Sequence, residues 1–132
     1  MPIKYQIDRE KRLVVATPEG LLSDADMFEY QRTVWSQAEL KGYNELFDVT
    51  GVTQLESVTE ERVADLADLA ASMDPADLPS KLAILATNDL HFGLARMYER
   101  RREMAKQSNK VVHVFRVREE AMEWLANCIE VQ

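Results

Sequence analysis

The sequence alternates between two spacings of apolar residues, and this alternation constrains the fold more than any other feature. Short runs in which every second residue or nearly every residue is apolar indicate β-strands, whereas apolar residues three or four positions apart indicate amphipathic helices. Two strand-like runs, 3–8 and 12–17, come first. Helix-like and strand-like runs then alternate along the rest of the chain, which predicts the element order ββαβαβαβα.

This order favours an α/β fold with a mixed, mostly parallel five-stranded sheet and four helices, because strand–helix–strand units make right-handed crossovers between parallel strands. The first two strands flank the charged turn 9–11 and are predicted to form an antiparallel hairpin. The run 81–87 is almost continuously apolar, which predicts a central strand covered on both faces. No repeat or linker divides the sequence, so residues 1–132 are predicted to form one domain.

Polar residues mark the predicted starts of the helices, and glycine or proline marks their ends. Ser23 precedes two aspartates at the start of the first helix, which is predicted to end at Gly42. Pro75 ends the second helix. Asn88 and Asp89 are alternative caps for the third.

Composition and charge exclude several classes of protein. With 46% hydrophobic and 30% charged residues, the chain is typical of folded proteins and not of disordered ones. Its net charge of −7 disfavours nucleic acid and anionic membrane surfaces as partners. We expect a cytoplasmic protein, since no segment has the apolar core of a signal peptide or the roughly 20 apolar residues that span a bilayer. Cys128, the single cysteine, is predicted to pack on the apolar face of the last helix.

Residues 48–57 read DVTGVTQLES, a segment in which a strand ends, turns and leads to a serine near the start of a helix. It resembles the pattern D-[LV]-[ST]-G-V-x-x-[ILM]-D-S of STAS domains. In anti-sigma-factor antagonists of the SpoIIAA type, the serine of this pattern is phosphorylated by a partner kinase. The resemblance therefore implies that Ser57 is a phospho-acceptor. Glu56 replaces the aspartate of the pattern, and Thr59 stands where a glycine is usual.

A second resemblance covers about residues 3–126. It is carried by the following segments: Pro18-Glu19-Gly20, Phe47-Asp48, Lys81-Leu82-Ala83, 92–98, 114–116 and 120–125. In this order and spacing, the chain resembles the bacterial SpoIIAA-like group, often named STAS/SEC14-like proteins. The resemblance implies a SpoIIAA-like α/β fold with no established common activity. Its SEC14-like side implies a small lipophilic ligand stored beside the sheet, although a pocket of roughly 300 to 1,000 Å³ is large for a domain of this size.

Two interpretations of Ser57 follow from its neighbours. Ser57 and Glu60 have the spacing of a capping box, in which the serine accepts from a backbone N–H and the glutamate reaches back. A helix N-terminus also attracts phosphate, but Glu56, Glu60 and Glu61 place like charge around this one. Capping is the favoured interpretation, and phosphorylation is the alternative.

A set of polar or small residues follows the predicted strands. In open α/β sheets, ligands favour the carboxyl ends of strands, which predicts a candidate ligand site there. We call these residues the rim set: Gly20, Asp48, Thr50, Thr87, Asn88, Asp89 and His91. No nucleophile elbow, Walker loop, dinucleotide-binding turn or spaced metal triad organises them, so a noncatalytic role without cofactor or metal is predicted. Asp48 is expected to tie its own turn through Thr50 and Gly51.

Charge is unevenly distributed between the second and third helices. Arg96, Arg100, Arg102 and Lys106 are predicted to form an exposed basic patch on the third helix, while acidic residues concentrate on the second. Opposed patches suit self-association, such as a homodimer, or an acidic protein partner. In the alternative, the basic residues complement the helix dipole and pair at i,i+4, and Arg101 lies along the inner stripe with buried methylenes.

These features predict a noncatalytic STAS-like module that binds or interacts with another molecule. A protein partner or self-association is expected, and nucleic acid is not. A phosphorylation switch at Ser57 and the binding of a small lipophilic ligand are the two alternatives.

Overall fold

The computed structural model describes residues 3–105 and 108–127, and these ranges contain seven strands and four α-helices. The strands are β1 (Ile3–Asp8), β2 (Leu13–Pro18), β3 (Gly20–Ser23), β4 (Asn44–Asp48), β5 (Val52–Glu56), β6 (Ser80–Leu85) and β7 (Lys110–Phe115). The helices are α1 (Asp24–Val34), α2 (Glu60–Met73), α3 (Asp89–Glu103) and α4 (Arg118–Ala126), and a short 3₁₀ helix spans Ala38–Leu40.

Five strands form the main sheet in the order β1-β2-β4-β6-β7. β1 pairs antiparallel with β2, and every other pair is parallel. The predicted α/β class, with a mostly parallel five-stranded sheet and four helices, is thereby confirmed. β4 is the middle strand, whereas β6 lies between β4 and β7 with all six of its residues buried.

β3 and β5 form a second, two-stranded parallel sheet that the sequence analysis did not predict. Gly20 adopts a φ of +68°, a left-handed conformation that suits glycine and separates β3 from β2. Its N–H donates to the carbonyl of Gly51 at 2.9 Å. Leu22 and Val52 are buried in this sheet, whereas Leu21 is 46% exposed. The two strands are too short for their apolar spacing to be told from that of a turn.

The main sheet has helices on both faces because its side chains alternate. On one face, Leu46 and Ala83 pack against Ala121 of α4. On the other, Phe47 and Ile84 pack in the cluster that includes α3. α1 covers β1 and β2 on this second face, and α2 packs against α1 and α3.

Helix α1 begins as predicted, at Ser23, which forms a capping box with Asp26. Its predicted end at Gly42 is wrong, because α1 ends at Val34. The Ser36 and Gln37 side chains both donate to the carbonyl of Thr33, at 3.3 and 3.4 Å, and so compete with the backbone bond that would continue the helix.

The later elements follow the predicted pattern. Asn88, one of the two predicted caps, accepts from the N–H of His91 at 2.8 Å and begins α3. Ala121 and Leu125 are buried in α4, and Cys128 lies outside the described residues. Among the helices in the described ranges, none combines the length and the apolar character that crossing a bilayer requires.

Candidate ligand-binding site

An apolar cavity of about 110 Å³ lies between the second face of the main sheet and helices α1, α2 and α3. Alternation along the strands directs Glu45, Phe47 and the following Val49 into it. The parallel register then sets Leu82 of β6 beside Glu45 and aligns the two strands along the cavity wall.

The helices complete the wall with side chains spaced three or four residues apart. α1 contributes Met27, Tyr30 and Gln31, and α2 contributes Val63 and Leu66. Another group of residues comes from α3: His91, Leu94, Ala95 and Tyr98. The lining is apolar except for a few side chains, most of which meet where β4 begins.

Tyr30, Glu45 and Tyr98 form what we call the polar end of the cavity. The Tyr30 hydroxyl donates to Glu45 Oε2 at 2.7 Å, and Glu45 is only 5% exposed. Burial raises the pKa of Glu45, and neighbouring Lys110 opposes this rise without cancelling it. Burial, together with the nearby Glu45 carboxylate, raises the pKa of Tyr30 well above its usual value.

Behind the polar end lies a buried ion pair. Arg102 is 3% exposed; its Nη1 donates to the Tyr98 hydroxyl at 2.6 Å, and its Nη2 pairs with Asp74. Burial opposes the charged form of Arg102, but Tyr98 and Asp74 outweigh it and raise the pKa of the guanidinium. Burial raises the pKa of the Tyr98 hydroxyl, so Tyr98 is protonated at neutral pH.

Lys110 completes the charges near the polar end. Its ammonium lies over the Trp35 ring, 4.3 Å from the centroid, and donates to the Tyr43 carbonyl at 3.4 Å. Burial lowers the pKa of Lys110, while the attraction of Glu45 acts in the opposite direction. Two cations, Arg102 and Lys110, thus stand beside the two acids Asp74 and Glu45.

Half-buried His91 and Val58 line the cavity on the side where α2 and α3 begin. The His91 Nδ1 lies 3.0 Å from Asn88 Nδ2, so the residue that caps α3 also orients this ring. Burial lowers the pKa of His91. His91 is therefore the member of the predicted rim set that also lines the cavity.

Asp48 and Thr50 of the rim set lie together, as predicted. Asp48 Oδ1 accepts from the backbone N–H of Thr50 at 2.9 Å and from its hydroxyl at 2.7 Å. Asp48 Oδ2 accepts from Arg118, at the start of α4, at 3.0 Å. Gly20 reaches the same turn through its bond to Gly51. These contacts are structural, since they occupy both oxygens of the carboxylate.

The remaining rim residues lie after β6, along the same edge of the main sheet. Arg116 donates to the carbonyl of Thr87 at 3.0 Å and to Asp89 at 3.1 Å, while Asn88 caps α3. Backbone bonds from Val49 to β6 and from Ala86 to β7 continue the parallel ladder beyond the strands. Within the described ranges, no group of three or more His, Cys, Asp or Glu side chains has the arrangement of a metal site.

The capping interpretation of Ser57 is wrong. Thr59 is the N-cap of α2 and accepts from the N–H of Arg62 at 3.2 Å. Thr59 has the extended backbone that an N-cap requires, whereas Ser57 has a φ of +58°. Ser57 is exposed two residues before the cap. Its role as a phospho-acceptor stays a prediction.

The predicted orientation of α3 is wrong by one residue. Arg102, expected in the exposed patch, is buried, whereas Arg101, expected on the inner stripe, is exposed and forms a two-bond pair with Asp68 at 2.8 Å. The most buried residues of α3 are Ala95, Glu99 and Arg102, spaced four and three residues apart. A buried arginine reverses the usual rule that charges mark the outer face.

The predicted basic patch is correspondingly reduced. Arg96 forms an ion pair, because its Nη1 donates at 2.8 Å to the buried carboxylate of Glu99. Arg100 is exposed, and Lys106 lies outside the described residues. Without Arg102, the described part of the helix does not present the continuous patch that the sequence predicted.

The polar end of the cavity was not predicted from the sequence. Glu45 carried the clearest signal, since it alternates with Phe47 and Val49 and so puts an acid on a face that should be apolar. Tyr30 lies three residues after Met27 and four before Val34, on the inner stripe of α1. A buried acid with a tyrosine on a facing stripe indicates an interior hydrogen-bonded pair.

Comparisons with known proteins bear on the fold. Neither a family model nor a curated protein matches the chain. A crystal structure of an uncharacterized protein of the DUF3478 family from Shewanella loihica PV-4, described as having a SpoIIAA-like fold, covers 93% of this chain and 91% of that chain, with a TM-score of 0.54 and 14% identity. The chain has a SpoIIAA-like fold. The SpoIIAA-like fold predicted from the sequence is thus confirmed.

Proposed function

We propose that this SpoIIAA-like chain is a noncatalytic module that binds a small lipophilic molecule in the cavity between the main sheet and α3. The cavity itself carries the proposal. The cavity has a volume of about 110 Å³, is partly open to solvent and has an almost entirely apolar lining. A ligand that enters it removes apolar wall from water, which is favourable by about 25 cal/mol per Å² of apolar area buried.

The composition of the wall fits the same function. Small-molecule sites are mainly apolar, with a few placed polar groups that orient the ligand. Here the apolar wall comes from β4, β6 and three helices, and the polar atoms gather at Tyr30, Glu45 and Tyr98.

The volume limits the ligand. A cavity of about 150 Å³ is known to hold benzene, with its six non-hydrogen atoms, so a cavity of about 110 Å³ encloses about four or five. Because this cavity is partly open to solvent, the rest of a slightly larger molecule can extend through its mouth. Drug-sized pockets are several times larger. The proposed ligand is a small ring, a short aliphatic molecule or the end of a longer chain, and not a whole lipid.

The contacts of the rim set support a noncatalytic role. Asp48 uses both carboxylate oxygens to hold a turn and Arg118, and Asn88 caps a helix. His91 lies beside Asn88, whose side chain contacts its ring at 3.0 Å.

A pair of variants tests the proposal by NMR titration with benzene. Ala95 lines the cavity, so Ala95→Leu fills it; Ala64, on α2, is half-buried and does not line it, so Ala64→Leu is the matched control. Wild type and Ala64→Leu are expected to bind benzene with a Kd of about 1 mM. Ala95→Leu is expected to lose this binding. Binding that survives in Ala95→Leu, or is absent from wild type, would contradict the proposal.

A second candidate function is a phosphorylation switch at Ser57, through which a partner protein would be controlled. Its support is that Ser57 is exposed and does not cap α2, which leaves the hydroxyl accessible to a kinase. Intact-mass analysis of the protein from its own cell should show one added phosphate in wild type and none in Ser57→Ala. An unmodified wild-type mass would remove this candidate.

A further inference from the structure

The Tyr30 and Tyr98 hydroxyls of the polar end differ in whether they donate a hydrogen bond. The Tyr30 hydroxyl donates a hydrogen bond to Glu45. Tyr98 instead accepts a hydrogen bond from Arg102, and no described residue accepts the proton of its hydroxyl. A buried hydroxyl both accepts and donates when its partners allow. Tyr98 lines the apolar cavity, and its hydroxyl carries a donor that no described residue uses.

Arg102 strengthens this donor. A charged guanidinium that donates to a hydroxyl oxygen draws electron density from it, and hydrogen bonds in series strengthen one another in a medium of low dielectric constant. Arg102 is held in place by Asp74, on the C-cap of α2. The chain Asp74–Arg102–Tyr98 is thus arranged to stabilise a hydrogen-bond acceptor beside the Tyr98 hydroxyl.

The charges around the polar end favour a neutral acceptor over an anion. Arg102 is paired with Asp74, and Lys110 is electrostatically coupled to Glu45, so no described cation at this end is left without a neighbouring acid. An anionic ligand would meet the Glu45 carboxylate and bring an additional charge into an apolar space, which is costly.

We infer that the ligand is a small neutral carbonyl compound whose oxygen accepts a hydrogen bond from Tyr98. The class comprises ketones, aldehydes and lactones of about four to six non-hydrogen atoms, of which the cavity encloses about four or five. This inference rests on the proposed function and adds to it the chemical group that the cavity recognises.

Two probes of the same shape isolate the carbonyl group. Cyclopentanone carries an oxygen where methylenecyclopentane carries a CH₂ group, and both have six heavy atoms. Their dissociation constants are measured by NMR titration with wild type and with Tyr98→Phe. Because the two probes differ in hydrophobicity, the informative quantity is the change that the variant causes for each probe. Tyr5→Phe, on an exposed tyrosine that does not line the cavity, is the control.

Tyr98→Phe is expected to weaken cyclopentanone binding about 5- to 10-fold and to leave methylenecyclopentane binding unchanged. Tyr5→Phe is expected to change neither. An equal effect of Tyr98→Phe on both probes would overturn the inference, as would wild type that binds the alkene and not the ketone; in both cases the proposed function survives. Wild type that binds neither probe would overturn the proposed function.

A second measurement does not depend on the variant. Losing the Tyr98 hydroxyl removes an acceptor from buried Arg102, which also destabilises the fold. With carbonyl-¹³C cyclopentanone and wild-type protein, the bound carbonyl resonance is expected to move downfield from its position in an apolar solvent, as it does when the oxygen accepts a hydrogen bond. A bound resonance at the apolar-solvent position would contradict the inference.

Discussion

Tyr30 and Glu45 join helix α1 to the start of the middle strand β4 through a hydrogen bond of 2.7 Å in the interior of the protein. The pair combines an aromatic hydroxyl with a carboxyl group that is almost free of water contact. Burial makes the charged form of Glu45 costly, and this cost exceeds the help from Lys110, Tyr30 and Arg102, so the pKa of the carboxyl is raised. The pair therefore couples the stability of the fold to pH.

Glu45→Gln is expected to gain stability relative to wild type as the pH rises. The pKa of Glu45 in the folded state lies above the ordinary value of 4.5, so its stabilising contribution is complete below that value and is lost as the pH rises through the folded-state pKa. Glutamine keeps an acceptor for Tyr30 and does not titrate. Urea unfolding of both proteins between about pH 4 and about pH 7 measures the difference in free energy.

Glu29→Gln controls for the loss of one carboxylate from the protein, since Glu29 is an exposed residue on α1. The stability difference for Glu45→Gln should grow across the pH series, and the Glu29→Gln series sets the baseline. A pH-independent difference for Glu45→Gln would show that Glu45 is not the coupled group.

Two adjacent arginines on α3 should respond very differently to truncation. Arg102→Ala leaves Asp74 without its cation in a largely buried site and is expected to cost about 3 to 5 kcal/mol. Arg101→Ala removes an exposed pair with Asp68 and is expected to cost about 0 to 1 kcal/mol. Chemical denaturation compares the two. Similar losses would contradict the burial of Arg102.

The element order was predictable because strands and helices of this fold differ in apolar period. The strand 3–8 was predicted to the residue, since its alternating run ends at the charged turn 9–11. β3 and β5 were missed because each has four or five residues, and several of them are exposed. A parallel pair this short depends on contacts between distant segments, which no local pattern encodes.

The candidate site was predictable only at the edge of the sheet. Strand ends can be found in sequence, and Asp48 does hold its turn as expected. The cavity lies between the main sheet and three helices, and its volume depends on how closely those helices pack against the sheet. The choice between Arg101 and Arg102 as the inward residue is one residue of helix rotation, about 100°, which the weak apolar stripe of α3 did not specify.

Thr59 and Ser57, near the start of α2, are expected to contribute differently to stability. Thr59→Ala removes the acceptor for the N–H of Arg62 and is expected to cost about 1 kcal/mol. Ser57→Ala removes no cap and is expected to cost less than half as much, while Ser57→Gly relieves the left-handed backbone at φ +58°. Thermal unfolding of the three variants gives the ranking. A larger loss for Ser57→Ala than for Thr59→Ala would restore the capping role of Ser57.

Variants of Asp48 test whether the edge of the sheet belongs to the ligand site. Asp48→Ala removes the acceptor of two bonds from Thr50 and one from Arg118 and is expected to cost about 1 to 3 kcal/mol. Asp48→Asn keeps an acceptor for Thr50 and loses the charge that pairs with Arg118, so a smaller loss is expected. Asp48 does not line the cavity, so benzene binding should be unchanged in both folded variants. Weaker benzene binding in Asp48→Asn would instead place Asp48 in the ligand site.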